Sequence, residues 1–103
     1  MAIIQIALTD EKGRIINEVK GSTYLIGQFL PDMNDDRSQC LRYIDSYGDT
    51  IFNRIQMEQF IKEWQEILGH VKTNEEREVM RDVLGLAEEC QKCPHTFLRF
   101  YGD

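Results

Sequence analysis

The sequence predicts an α+β domain. An antiparallel sheet of hairpin strands and a C-terminal strand packs against two long antiparallel helices. Three observations carry this reading. Apolar and polar residues alternate with a period of two at Ile4–Leu8 and again from Leu41 to Asp45. From Met57 the apolar positions switch to helical spacing. A second stripe of the same kind follows Thr73-Asn74-Glu75-Glu76, which has the spacing of a capping box.

Taken in order, Ile4, Ile6 and Leu8 alternate with Gln5 and Ala7 and give the first strand. Asp10–Arg14 is a polar turn in which Gly13 is free to take positive φ, and Ile15–Val19 is the return strand. Gly21-Ser22-Thr23 offers an N-cap for a short helix through Leu30, stopped by Pro31. Asp32–Arg37 is an acidic loop. Strands near Cys40–Asp45 and Thr50–Arg54, joined by Ser46-Tyr47-Gly48-Asp49, form an expected second hairpin. Met57, Phe60, Ile61, Trp64, Ile67, Leu68 and Val71 make the stripe of a first long helix, with Glu58, Lys62, Glu63 and Glu66 on its opposite side. Val79, Met80, Val83, Leu84, Ala87 and Cys90 make the stripe of the second, which packs antiparallel across a short connection. Pro94 blocks continuation, and His95–Tyr101 is the final strand. Leu98–Asp103 also echoes the Leu41–Asp49 segment, both containing Tyr-Gly-Asp.

At 103 residues the chain is expected to be a single domain, 1–103, with one modest core. Apolar residues make up 42% and charged residues 29%, a balance too apolar for a disordered chain. The formal charge of -6 disfavours a phosphate backbone as partner and favours a basic protein. The first eight residues are apolar but lack a basic flank and are too short for a signal peptide or a membrane span. Three cysteines, an odd number, fit a reducing compartment. A cytoplasmic protein without membrane attachment is expected.

The chain holds no nucleophile–base pair and no Gly-rich phosphate loop. Cys90-Gln91-Lys92-Cys93 falls at a helix C-terminus, where the dipole opposes thiolate formation, and Glu88 and Glu89 oppose it further. His70, His95 and Cys40 offer no second close pair, so neither a metal nor another cofactor is expected. Asp45, Asp49 and Asp103 are the carboxylates that sequence places at turns, where Asp ordinarily forms an Asx turn. Trp64 reads as a core aromatic. Arg42, Tyr43, Tyr47 and Arg54 read as surface recognition residues, since Tyr and Arg are favoured anchors.

Tyr47-Gly48-Asp49-Thr50, then Phe52-Asn53-Arg54 and Gln56, with Phe100–Asp103 at the end, resembles a group of small uncharacterised bacterial proteins. In general character the chain is similar to immunity proteins of polymorphic-toxin systems. That resemblance implies a bacterial cytoplasmic protein and assigns no residue a role. Small size, acidic charge and the absence of a catalytic set then point to a non-enzymatic immunity-type protein that neutralises a basic toxin by capping it. The partner-binding residues expected from the sequence are Arg42, Asp45, Tyr47, Asp49 and Arg54, with Asp32, Asp35 and Asp36 of the acidic loop supplying longer-range attraction. The rival expectation is a small enzyme or ligand binder using Arg42, Asp49, Asn53 and Arg54 beside the 41–56 hairpin.

Overall fold

A computed structural model describes residues 3–102. Four strands, β1 (Ile3–Asp10), β2 (Ile15–Glu18), β3 (Asp49–Asn53) and β4 (Thr96–Gly102), form one antiparallel sheet in the order β2-β1-β4-β3. The β1–β2 hairpin is where the alternation placed it. Gly13 takes φ 83° in its turn, and Asp10 Oδ1 accepts from the amides of Lys12 and Arg14. The C-terminal strand lies between β1 and β3, so it bonds to both.

Helix α1 covers Met57–Leu68 and α2 covers Asn74–Lys92. Only α2, at 19 residues, is long, so the expected pair of long helices is corrected to one long helix and one of 12 residues. The stripe that suggested helix as far as Val71 overran the end. Gly69 closes α1 by donating to Gln65, and Val71 is buried from a connecting segment instead. The capping box at Thr73 forms as its spacing implied, Thr73 Oγ1 accepting from Glu76 N at 3.1 Å. On α2 the buried side chains are Val79, Met80, Val83, Leu86, Ala87 and Cys90, with Leu84 only partly buried. The short helix expected after Ser22 is a 3-10 helix, Thr23–Phe29, without a side-chain cap from Ser22.

The second hairpin does not exist. β3 is a strand, but it pairs with β4, and the segment before it holds a 3-10 turn at Leu41–Tyr43. The cause is a carboxylate 22 to 25 residues away. Glu63 on α1 accepts from the amides of Gln39, Cys40 and Leu41 and from Ser38 Oγ at 2.7 Å, so these donors are withdrawn from any strand ladder. Leu41 and Ile44 both end up buried, a spacing of three that suits a 3-10 turn as well as it resembles alternation.

The core lies between the sheet and the two helices. Ile6 and Leu8 of β1, Phe52 of β3, and Leu98 and Phe100 of β4 meet Met57, Phe60 and Trp64 of α1 and the buried side of α2. Trp64 stacks on Phe60 with ring centroids 5.4 Å apart, and its indole donates to the Met80 carbonyl at 2.8 Å. Phe52 meets Phe100 edge-on at 5.9 Å. The echo between the two Tyr-Gly-Asp segments has a spatial counterpart. Gly102 N donates to Gly48 O at 2.7 Å, and a side chain at Gly102 would collide with the Gly48 and Asp45 backbone. Asp103 lies outside the described residues, so the Asp45, Asp49 and Asp103 grouping is not addressed by the structure.

Candidate protein-binding surface

Between the 3-10 helix and β3 the chain runs for about twenty residues without a strand or α-helix. Local side chains hold this segment in shape. Asp32 Oδ1 accepts from Asn34 N and Asp35 Oδ1 from Arg37 N, both at about 3 Å, closing two Asx turns. Asp45 Oδ1 accepts from Tyr47 N at 2.9 Å, and Asp45 N donates to Thr50 Oγ1 at 2.8 Å. The Glu63 carboxylate fastens the middle of the segment to α1. Burial raises its pKa, but hydrogen bonds from Gln59, Ser38, Leu41 and Gln39 more than offset this and hold it below the ordinary glutamate value. The sequence reading had put Glu63 on the solvent side of its helix. No local signal marks its role, because every loop partner is remote in sequence.

The result is a cleft of about 850 Å³ between the Gly27–Asn34 stretch and the 42–47 segment. Its lining includes Leu30, Pro31, Met33, Tyr43, Ile44 and Tyr47. Met33 is 73% exposed, Tyr47 72% and Tyr43 59%, an unusual commitment of large side chains to solvent. Arg42 is mostly buried in the wall. Its guanidinium lies 4.8 Å from the Tyr43 ring centroid, donates to Tyr43 Oη at 2.7 Å and approaches Asp36 at 3.5 Å. These contacts orient the Tyr43 ring at the cleft mouth.

Of the residues expected from the sequence, Arg42, Asp45, Tyr47 and Asp32 line this cleft, and Asp36 stands beside it through Arg42. Asp35 faces a second, smaller cleft of about 280 Å³ shared with His70 and Glu66. It is bound there by Arg37, whose hydrogen bonds lower the Asp35 pKa. Asp49 and Arg54 are not in either cleft. Asp49 opens β3, and Arg54 begins a 3-10 turn, Arg54–Gln56, ahead of α1. Asn53 is occupied as the cap of that turn, accepting from Gln56 N while its own amide donates to Gln56 Oε1. The polar set named for a small-molecule pocket is therefore dispersed. Sequence reasoning missed Met33 and Pro31. The signal was a single large apolar residue, Met33, set among Asp32, Asn34, Asp35 and Asp36.

Cys90 is buried at the end of α2, its thiol directed at the Thr96 carbonyl at 3.6 Å, and burial pushes its pKa up. Cys40 is pushed up to about 11 by burial and by the charge of Glu63. Both thiols are protonated at neutral pH. No described helix is long and apolar enough to cross a membrane.

No protein-family model, curated protein or solved structure matches the chain.

Proposed function

We propose that this is a non-enzymatic binding protein that caps a protein partner through the cleft between residues 27–34 and 42–47. One observation carries the reading: Met33, Tyr43 and Tyr47 stand exposed around a concave, partly apolar surface. Tyrosine and methionine are enriched at interface centres, tyrosine contributing large area at small cost in frozen rotamers and methionine adapting its shape to the partner. Asp32, Asp36 and Asp45 fringe the surface, and the chain carries -6 overall, so the partner it suits is basic. Neutralisation of a bacterial toxin inside the cytoplasm is the biological setting this chemistry fits, in line with the resemblance to immunity proteins.

The test is affinity capture from a lysate of the source cell with wild type, Tyr43→Ala/Tyr47→Ala, and Ile55→Ala as a control at a remote exposed site. A basic protein retained by wild type and the control but lost with the tyrosine variant is the expected outcome. Its release should be promoted by salt, which screens rim charges over about 10 Å at 0.1 M. Equal recovery with the folded tyrosine variant would overturn the assignment.

A further inference from the structure

The two walls of the 27–47 cleft come from different stretches of chain, and each contributes a carboxylate. Asp32 stands on one wall and Asp45 on the other, in a lining that also holds Leu30, Met33, Ile44 and Tyr47. The one base in the lining, Arg42, is already engaged. Its Nη2 donates to Tyr43 Oη at 2.7 Å, its Nη1 lies 3.5 Å from Asp36, and its Nε is buried. An anion entering the cleft would meet both carboxylates while Arg42 is committed elsewhere. A wholly apolar occupant would strip water from the same carboxylates and replace none of their hydrogen bonds. The complementary occupant is a cation carried on an apolar stem.

The two aspartates differ from their counterparts elsewhere in the molecule. Asp32 Oδ1 accepts from Asn34 N and Asp45 Oδ1 from Tyr47 N, each at 2.9 Å. Among the described residues neither has an ion-pair partner, and neither Oδ2 accepts a hydrogen bond. Asp10 and Asp35 also bind local amides, but both lie outside this cleft and both carry an arginine on the second oxygen. Arg14 Nε donates to Asp10 Oδ2 at 2.7 Å, and Arg37 Nη2 donates to Asp35 Oδ2 at 3.2 Å. Those arginines sit four and two residues after their aspartates. The corresponding positions are Asp36 and Asn34 after Asp32, and Asp49 and Tyr47 after Asp45. The chain thus supplies a guanidinium to the outer pair and withholds one from the cleft pair.

A guanidinium fits this mixture of groups better than an ammonium does. Its planar fork can meet a carboxylate edge-on and lie flat against a tyrosine ring. The wall already contains that second contact, with the Arg42 guanidinium 4.8 Å from the Tyr43 ring centroid.

We propose that the cleft is an arginine receptor. An exposed arginine of the basic partner enters it, with its stem against Met33 and Tyr47 and its guanidinium on the open oxygens of Asp32 and Asp45. This rests on the reading of the cleft as the capping surface, and it narrows the partner to one whose contact loop carries arginine.

The test titrates the isotope-labelled full chain with a capped Gly-Arg-Gly peptide and its lysine and citrulline counterparts. Amide shifts are followed to about 10 mM, a range that covers the weak affinity of so small a ligand. The arginine peptide should give saturable shifts at the Asn34 and Tyr47 amides, which report on the two carboxylates. The uncharged citrulline peptide should give none, and the lysine peptide should bind about threefold more weakly or worse. Asp32→Asn/Asp45→Asn keeps the amide-accepting oxygens and therefore the turns. With native circular dichroism retained, this variant should bind the arginine peptide at least about tenfold more weakly. Absence of saturable shifts with the arginine peptide, an equal response to citrulline or lysine, or indifference to the Asn pair would each overturn the proposal. The two readings also fail separately. A captured partner that depends on Tyr43 and Tyr47 but not on Asp32 and Asp45 would overturn the arginine receptor and spare the cleft as an interface. Saturable arginine binding that needs the two aspartates supports the receptor even where capture yields no partner.

Discussion

The aromatic residues divide the molecule into two regions that use the same chemistry oppositely. Under the sheet, Phe52, Phe60, Trp64 and Phe100 are buried to within 3% and in mutual ring contact. Along the irregular 24–47 stretch, Tyr24, Tyr43 and Tyr47 are 59% to 72% exposed. The difference lies in one hydroxyl and in what holds the backbone. In the first region side chains are fixed by each other and the backbone by ladders. In the second, the carboxylates of Asp32, Asp35, Asp45 and Glu63 fix the backbone by accepting from its amides, and the rings stay exposed to a partner. Rigidity therefore need not come from apolar burial at the point of contact, a useful property in a binding surface.

The comparison breaks most directly at Trp64. Trp64→Ala removes a wholly buried ring and its hydrogen bond to the Met80 carbonyl, and should destabilise the fold by about 3–5 kcal/mol in denaturant unfolding. A loss under about 1 kcal/mol would mean that the core is not organised around this ring.

Glu63→Gln should come next, at about 2–3 kcal/mol, because a charged acceptor serving several donors is replaced by a neutral one. The pH dependence has a definite sign. With its native pKa held below the ordinary value of 4.5, Glu63 contributes its full stabilisation above that pH. The contribution is lost as pH falls through the native pKa. Stability measured against pH should therefore decline less steeply on acidification in Glu63→Gln than in wild type. An unchanged acid limb would remove Glu63 as the clamp.

The tyrosines should show the opposite balance. Tyr43→Ala and Tyr47→Ala are expected to shift unfolding free energy by no more than about 0.5 kcal/mol while weakening partner binding about tenfold or more. Comparable losses in both measurements would erase the distinction between the two regions. The smallest effect sits at His95, whose φ of 63° is a left-handed conformation before β4. His95→Gly relieves that strain and gives up only an exposed 3.5 Å contact with Glu11, so a gain of up to about 1 kcal/mol is expected. Thermal unfolding would check the direction.

The two regions were also unequally legible. α2 could be read because its cap, period and Pro94 stop are all local, and β1 and β2 because a turn with Gly13 separates them. The 41–45 segment could not. Its period was ambiguous, and the carboxylate that decides its conformation arrives from Glu63, on an element formed later in the chain. For the same reason the sequence could nominate Arg42, Asp45, Tyr47 and Asp32 by type yet could not separate them from Asp49 and Arg54. Only the turn at Leu41–Tyr43, which replaces a strand, sends the two groups to different surfaces.

The position of β4 has a consequence for how the chain reaches this state. It follows the other three described strands in sequence and joins β1 to β3, so neither outer half of the sheet can connect to the other before it arrives. During vectorial synthesis the β1–β2 hairpin and β3 wait with one edge each unpaired until Thr96–Gly102 is available. The β1–β4 pairing then closes a separation of most of the chain, the kind of contact that slows folding. The acidic net charge acquires a second use in that interval, since like-charged unfinished chains repel one another while the centre of the sheet is still missing.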